Sequence, residues 1–331
     1  MFFFMLFLLF LLKRISDKRR YKRILIVKLS SLGDVIHTLP LVYDIQRTEP
    51  DVKIDWVVDA SFIDLLWPLK NVNLIPIELR AFKKHKNFNP FRDLKFKFNT
   101  YDTIIDAQGL LKSALVARYA KGFSKAKIIG LGNRAIDCGY EPLVRCFYDE
   151  YVYVEPKIHS VDRTRALYPS VYKGPPVFYP SDLVLSPPKW NKYVLFFHAT
   201  TADEKCWPID NWIELGISLA ERGYTIVLPW GNPAEKERSK SIGFSIPGAI
   251  IPEAFNLLNA FSIIQHSELV IGVDTGLTHL AAALKHRTVE IYVSTFKWKF
   301  EGYWHSNVRN LGDKGQCPTV LEVLSSTNQL L

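Results

Sequence analysis

Two series of short apolar runs, each closed by a loop and followed by a segment of helical period, restrict the fold of this chain more than any other feature. In the first series the runs are Ile24 to Val27, Lys53 to Val58, Asn73 to Ile77, Thr103 to Ile105 and Ala126 to Ile129. In the second they are Tyr193 to Phe197, Tyr224 to Leu228 and Leu269 to Val273, with helical segments at Asn211 to Arg222 and Ala234 to Ser241. Strands that alternate with helices imply a parallel sheet covered on both faces. Between the series, Pro175, Pro176, Pro180, Pro187 and Pro188 prevent a regular element and predict a linker. The expected fold class is α/β, with two Rossmann-like, doubly wound parallel-sheet domains facing each other across a cleft. The expected division is an apolar and basic extension over 1–20, a first domain over 21–172, a linker over 173–190 and a second domain over 191–331. Such sheets bind ligands beyond the carboxyl ends of their strands, so the cleft is where chemistry is expected.

Within this frame the segment Asp274-Thr275-Gly276-Leu277-Thr278-His279 places an acid, a hydroxyl and a glycine where a strand ends and a helix begins. Such a junction aims unpaired backbone N–H groups and the positive end of the helix dipole at one point, which suits a phosphate. Taken alone it reads equally well as a helix cap with a turn glycine. Other strand ends in the second half carry His198, Thr200, Thr201 and Lys205, while Glu235 follows the run at Leu228. Together they read as a diphosphate cradle with one carboxylate left for a ribose or sugar hydroxyl. In the first half, the loop Lys28-Leu-Ser-Ser-Leu-Gly-Asp34 ends one strand and opens a helix, with Pro40 separating a first turn from the main helix. Asp34 reads either as a cap or, opposite a phosphate cradle, as a base for an attacking hydroxyl. Lys28 reads as a cation for an acidic substrate or a departing phosphate.

Charge narrows the partners. The 331-residue chain carries a formal net charge of +9, and eight Lys or Arg against one acid lie between Lys13 and Lys28. Eight more face only Glu78 and Asp93 between Lys70 and Lys97, a distribution that concentrates anions. No nucleic-acid-binding signature accompanies these runs, so nucleic acid is not expected. The four cysteines form no C-x-x-C pair, and neither a zinc site nor a disulfide framework is expected. Gly130-Leu131-Gly132-Asn133-Arg134-Ala135 fits the loose dinucleotide pattern, but Gly139 and Pro142 interrupt the helix that should follow, so no nicotinamide cofactor is expected. Residues 1–12 are uninterruptedly apolar. As a helix they reach about 18 Å against roughly 30 Å of hydrocarbon, which leaves a shallow anchor with a basic collar or a wrongly extended start as the two readings.

Five blocks in order carry a resemblance: Lys28-Leu-Ser-Ser-Leu-Gly-Asp-Val-Ile-His-Thr-Leu-Pro40, Asp106-Ala-Gln-Gly-Leu-Leu-Lys-Ser113, His198-Ala-Thr-Thr-Ala-Asp-Glu-Lys-Cys-Trp-Pro208, Leu228-Pro-Trp-Gly231 and Val273-Asp-Thr-Gly-Leu-Thr-His-Leu280. From about Arg23 to the C-terminus the chain resembles glycosyltransferase family 9, and within it the enzymes that add the first heptose of the lipopolysaccharide inner core. The resemblance implies a GT-B fold and inverting, metal-independent heptosyl transfer. It implies ADP-L-glycero-D-manno-heptose as donor on the second domain, and Kdo2-lipid A as acceptor on the first. It also implies work at the anionic cytoplasmic face of the bacterial inner membrane, where residues 1–12, on the first of their two readings, would add an anchor that the family pattern lacks. By motif, Asp34 resembles the general base, and Thr200, Thr201, Lys205, Glu235, Asp274, Thr275, Gly276, Leu277 and His279 the donor-binding set. Lys28, Lys112 and a basic loop with Arg80, Lys83 and Lys84 would face the anionic acceptor. The chain departs from the pattern at Tyr140, where many relatives carry arginine. It departs again at Val293-Ser294-Thr295, where many carry Gly-Pro-Thr, and in its apolar start. Addition of the second heptose, use of another nucleotide sugar, or mere binding to a membrane surface are the rival readings.

Overall fold

The computed structural model describes residues 21–78, 100–136, 138–169, 174–254 and 256–331. The first lobe runs β1 (Arg23–Val27), α1 (Leu32–Ile36), α2 (Leu39–Thr48), β2 (Lys53–Asp59), β3 (Val72–Ile77), β4 (Thr103–Asp106), α3 (Leu111–Lys121), β5 (Lys127–Leu131), β6 (Glu150–Val152) and α4 (Ser160–Arg165). The second runs β7 (Tyr193–Phe197), α5 (Ile209–Glu221), β8 (Thr225–Val227), α6 (Pro233–Gly243), α7 (Leu257–Gln265), β9 (Leu269–Val273), α8 (Gly276–Ala283), β10 (Thr288–Tyr292), β11 (Val308–Gly312) and α9 (Val320–Leu330). The sheets have the orders β3-β2-β1-β4-β5-β6 and β11-β10-β9-β7-β8. Every strand pair in both is parallel.

These orders reverse direction once in each sheet, between β1 and β4 and between β7 and β9. At such a switch point the connections leave to opposite faces and open a crevice beyond the strand ends. The loops after β1, β7 and β9 carry the blocks singled out above, and they converge there. Pro40 acts as expected: α1 ends at Ile36 and α2 begins at Leu39. The loop after β4 is held from beneath by Asp106, which is fully buried and accepts from the amides of Gln108 and Gly109 and the hydroxyls of Ser113 and Tyr148. Gln108 in turn accepts from the N–H groups of Leu29 and Ser30, so one loop fixes the other.

Some expectations shift. Gly130 and Gly132 lie against tyrosine rings, where a Cβ would come within 2.3 Å of the Tyr148 ring and 3.0 Å of the Tyr153 ring, so these glycines serve packing. Residues 174–190 contain no helix or strand, yet Phe178 and Tyr179 within them are buried, Phe178 with its ring 4.3 Å from that of Trp304. The linker is therefore part of the core. One apolar cluster runs from Ile24 and Ile26 of β1 through Phe178 to Leu195 and Val270 of the second sheet.

The lobes meet most closely where α1 packs on α8. A Cβ on Gly276 would fall 2.1 Å from Leu32 Cδ2 and 2.7 Å from its Cβ, and one on Gly33 would fall 3.0 Å from His279 Cδ2. Neither glycine has a positive φ, so both are needed for space. Gly276→Ala is expected to force α1 away from α8, with an overpacking cost of about 1–3 kcal/mol and a fall in Tm of several degrees. A thermal melt within one degree of the parent would show that this contact is slack.

Candidate active site

Between the lobes lies a cavity of about 570 Å³. Its first-lobe wall comes from Ser31, Leu32, Gly33 and Asp34 of the β1–α1 connection and from Ser61, Phe62 and Asp64 after β2. Its second-lobe wall holds Thr200, Thr201, Lys205, Glu235, Asp274, Thr275, Gly276, Leu277 and His279, together with Trp230, Asn256 and Phe300.

Asp34 is the third residue of α1, behind the N-cap Ser31. Ser31 donates its hydroxyl to Asp34 Oδ2 at 2.8 Å, and Lys28 Nζ stands 3.5 Å from Oδ1. The carboxylate keeps 29% of its side-chain surface exposed, enough to present one edge to the cavity. Burial pushes its pKa up, but Lys28, Arg163 and the Ser31 hydrogen bond outweigh that and hold it well below the ordinary range. Asp34 is thus a fixed carboxylate at neutral pH.

Lys28 is not where the sequence reading put it. It is only 3% exposed, does not line the cavity, and donates to the Ala107 carbonyl at 3.2 Å. Burial lowers its pKa, partly offset by Asp34. Its ammonium sits behind Asp34, 3.5 Å from Oδ1, and not on the cavity wall. Lys112 is exposed on α3 and lines no part of the cavity. Arg80, Lys83 and Lys84 lie outside the described residues. Arg163 of α4, which the sequence does not single out, is buried, its Nη1 has no hydrogen-bond partner among the described residues, and its charge helps to hold the Asp34 carboxyl ionised.

On the second lobe, Lys205 Nζ meets Asp274 Oδ2 at 2.7 Å, and Asp274 Oδ1 meets His279 Nε2 at 3.0 Å. His279 Nδ1 meets Glu290 Oε1 at 3.2 Å. Burial alone would lower the pKa of His279, but the two carboxylates raise it to about 10. Asp274 shows the converse balance: burial raises it, and His279 with Lys205 brings it below the ordinary range. Cation, anion, cation and anion therefore alternate from the cavity wall into the core. The first-turn N–H groups of α8, those of Gly276 and Leu277, have no acceptor within the helix and carry its positive dipole end into the cavity. Glu235 accepts from Gly231 N–H at 2.7 Å and from Asn232 Nδ2 at 2.7 Å, which fixes it at the start of α6. A carboxylate has further lone pairs for a ligand hydroxyl. His198, by contrast, is buried and paired with Ser239, and burial lowers its pKa to about 3.

The site can therefore take a proton on one side and hold a diphosphate on the other. A family model described as glycosyltransferase family 9 (heptosyltransferase) matches residues 93–328. Lipopolysaccharide heptosyltransferase 1 of Escherichia coli strain K12 is 34% identical over 328 residues, covering 92% of this chain and 99% of the relative. The protein of that name from Pseudomonas aeruginosa is 34% identical over 314 residues, covering 91% and 86%. The solved structure of E. coli heptosyltransferase WaaC with ADP matches with a TM-score of 0.79 at 31% identity, covering 93% of this chain and 100% of that one. The same enzyme with ADP-2-deoxy-2-fluoro heptose matches at 0.77, with the same identity and coverage. Two parallel sheets around a shared crevice and a match of this length lead to one conclusion: the chain belongs to glycosyltransferase family 9 and is a glycosyltransferase of GT-B fold.

Proposed function

We propose that this protein is a heptosyltransferase I, transferring L-glycero-D-manno-heptose from ADP-heptose to Kdo2-lipid A with inversion and without a metal. The observation that carries the reading is the opening of Asp34 from one lobe, and of Lys205 with the α8 start from the other, into a single cavity. The likeness to lipopolysaccharide heptosyltransferase 1, and the binding of ADP-2-deoxy-2-fluoro heptose by one of the relatives, support the choice of sugar and nucleotide.

In this reading the first lobe binds the acceptor and the second the donor. Asp34 accepts the proton of a Kdo hydroxyl as that oxygen attacks the anomeric carbon from the face opposite ADP. The bond from the anomeric carbon to the diphosphate oxygen breaks, and its electron pair leaves with ADP. Lys205, Thr200, Thr201 and the α8 amides take up the charge that grows there, the work a metal cation does in other transferases. Glu235 is placed for a ribose or sugar hydroxyl. Lys112, Arg80, Lys83 and Lys84 remain candidates for the anionic parts of the acceptor. A lipid acceptor requires work at the inner leaflet, as a peripheral protein; among the described residues no helix is long and apolar enough to cross a membrane. The apolar stretch over 1–12 lies outside the described residues.

Purified protein incubated with Kdo2-lipid A and ADP-heptose is expected to add one heptose, detected by mass spectrometry, at the same rate with or without a chelator. Product formed only on acceptor already carrying one heptose would transfer the reading to the second-heptose enzyme. Asp34→Ala is expected to lower kcat by about 10² to 10⁴ while binding of ADP is retained; undiminished turnover rejects the base. Removing the buried cation in Lys28→Met should raise the Asp34 pKa by about 1–3 units, because a neighbouring positive charge favours the ionised carboxyl. The acid limb of kcat/KM should then move to higher pH by the same amount. A limb that stays in place would mean that this carboxylate does not limit the rate at low pH.

A further inference from the structure

Glu290 is a charged residue in the middle of β10, with no exposed surface, and no step of the proposed transfer uses it. All its partners are specific. Oε1 receives His279 Nδ1 at 3.2 Å, while Oε2 accepts from the Tyr292 hydroxyl at 2.9 Å and from the Gly302 N–H at 2.9 Å. A buried carboxylate costs several kcal/mol in desolvation unless it is paired and hydrogen-bonded, so these contacts are what make Glu290 tolerable here. They also join two parts of the cavity that the backbone leaves apart.

One part is His279, whose other nitrogen holds Asp274, which in turn holds Lys205. The other is the segment ending at Gly302, which carries Phe300 into the cavity. Glu301 of that segment also receives His159 Nε2 of the first lobe at its carbonyl, at 3.1 Å. On its other side the His279 ring is flanked by the ring of His37, 4.9 Å away, and that of Phe300, 6.0 Å away.

We propose that Glu290 is a positioning residue for the donor site: it grips His279 from behind and thereby aims Asp274 and Lys205 at the diphosphate, while its second oxygen sets the wall that bears Phe300. The inference rests on the donor reading of this cavity. With Glu290 in place, His279 is an imidazolium that donates at both nitrogens, and Asp274 stays turned toward Lys205. Without the rear carboxylate the ring has one strong partner only, and Lys205 loses its fixed direction.

The test is Glu290→Gln, which keeps the shape and the bonds to Tyr292 and Gly302 while removing the charge. ADP serves as the probe. Calorimetry is expected to show ADP binding weakened about 10- to 100-fold, the range for loss of a hydrogen bond to a charged group. KM for ADP-heptose should rise in proportion, with a smaller change in kcat. In protein labelled with ¹⁵N-histidine, the parent His279 should show two protonated ring nitrogens at pH 8, and the variant a neutral ring. ADP binding within twofold of the parent, or a variant ring still doubly protonated at pH 8, overturns the proposal. Should the variant fail to fold, the parent spectrum still decides, because a neutral His279 at pH 8 overturns it as well. Parent protein that binds no ADP would instead refute the donor reading on which the inference rests.

Discussion

The active cavity depends on two glycines that let two helices touch. With Gly276 against Leu32 and Gly33 against His279, the starts of α1 and α8 approach without a side chain to separate them. Each helix begins one or a few residues after a strand at the switch point of its own sheet, so the contact brings two crevices together as one. Asp34 on one side and the α8 amides on the other then line a common volume. A larger residue at either glycine would leave both sheets intact and still widen the gap between Asp34 and the α8 amides.

Electrostatics reinforce this geometry in opposite senses on the two sides. The charges of Lys28 and Arg163, both buried, keep the partly buried carboxyl of Asp34 ionised. Behind Lys205 the alternation of Asp274, His279 and Glu290 leads charge of opposite sign inward step by step. A buried ion pair seldom adds net stability, whereas removal of one partner leaves the other buried and uncompensated, a loss of about 3–5 kcal/mol. Such networks therefore fix orientation more than they stabilise the fold. That is what a site needs when its donors must point at a charge that appears only during reaction.

Much of this was legible in the sequence, and the gaps have physical causes. The strands β1, β7 and β9 are almost wholly apolar and buried on both faces, and β2 and β4 carry the apolar cores Trp56-Val57-Val58 and Ile104-Ile105, so their runs stand out. β6 has only the residues Glu150–Val152, and β11 carries Arg309 and Asn310, so neither forms a run. β10 was passed over because Glu290 interrupts it. That same charge in an apolar strand was the signal that a buried partner existed. Thr200, Lys205 and the Asp274 block stand out because strand ends and helix starts have recognisable residues, and they line the cavity. Lys28 was misplaced because its position one residue past a strand says nothing about depth: its side chain runs back under the loop to Ala107. Arg163 comes from a distant part of the chain, and the packing of α4 on α2 brings it near Asp34, whereas His37, at the end of α1, reaches His279 through the contact of α1 with α8.

The depressed pKa of Asp34 makes it a weak base at equilibrium, and this suits the proposed transfer. An acceptor hydroxyl is far less acidic than this carboxyl, so no proton moves while both rest in the ground state. As the new carbon–oxygen bond forms, the hydroxyl becomes strongly acidic, and the carboxylate then accepts its proton without having competed for protons from water beforehand. Over the same step negative charge disappears from Asp34 and grows on the diphosphate. It moves from the lobe that holds Lys28 and Arg163 to the lobe that holds Lys205 and the α8 amides. Because the first pair of cations is buried and fixed, the loss of their partner is a cost that the second lobe must offset. An accurately aimed Lys205 is therefore required by the same arrangement that keeps Asp34 ionised, and the charge series behind Lys205 supplies that aim.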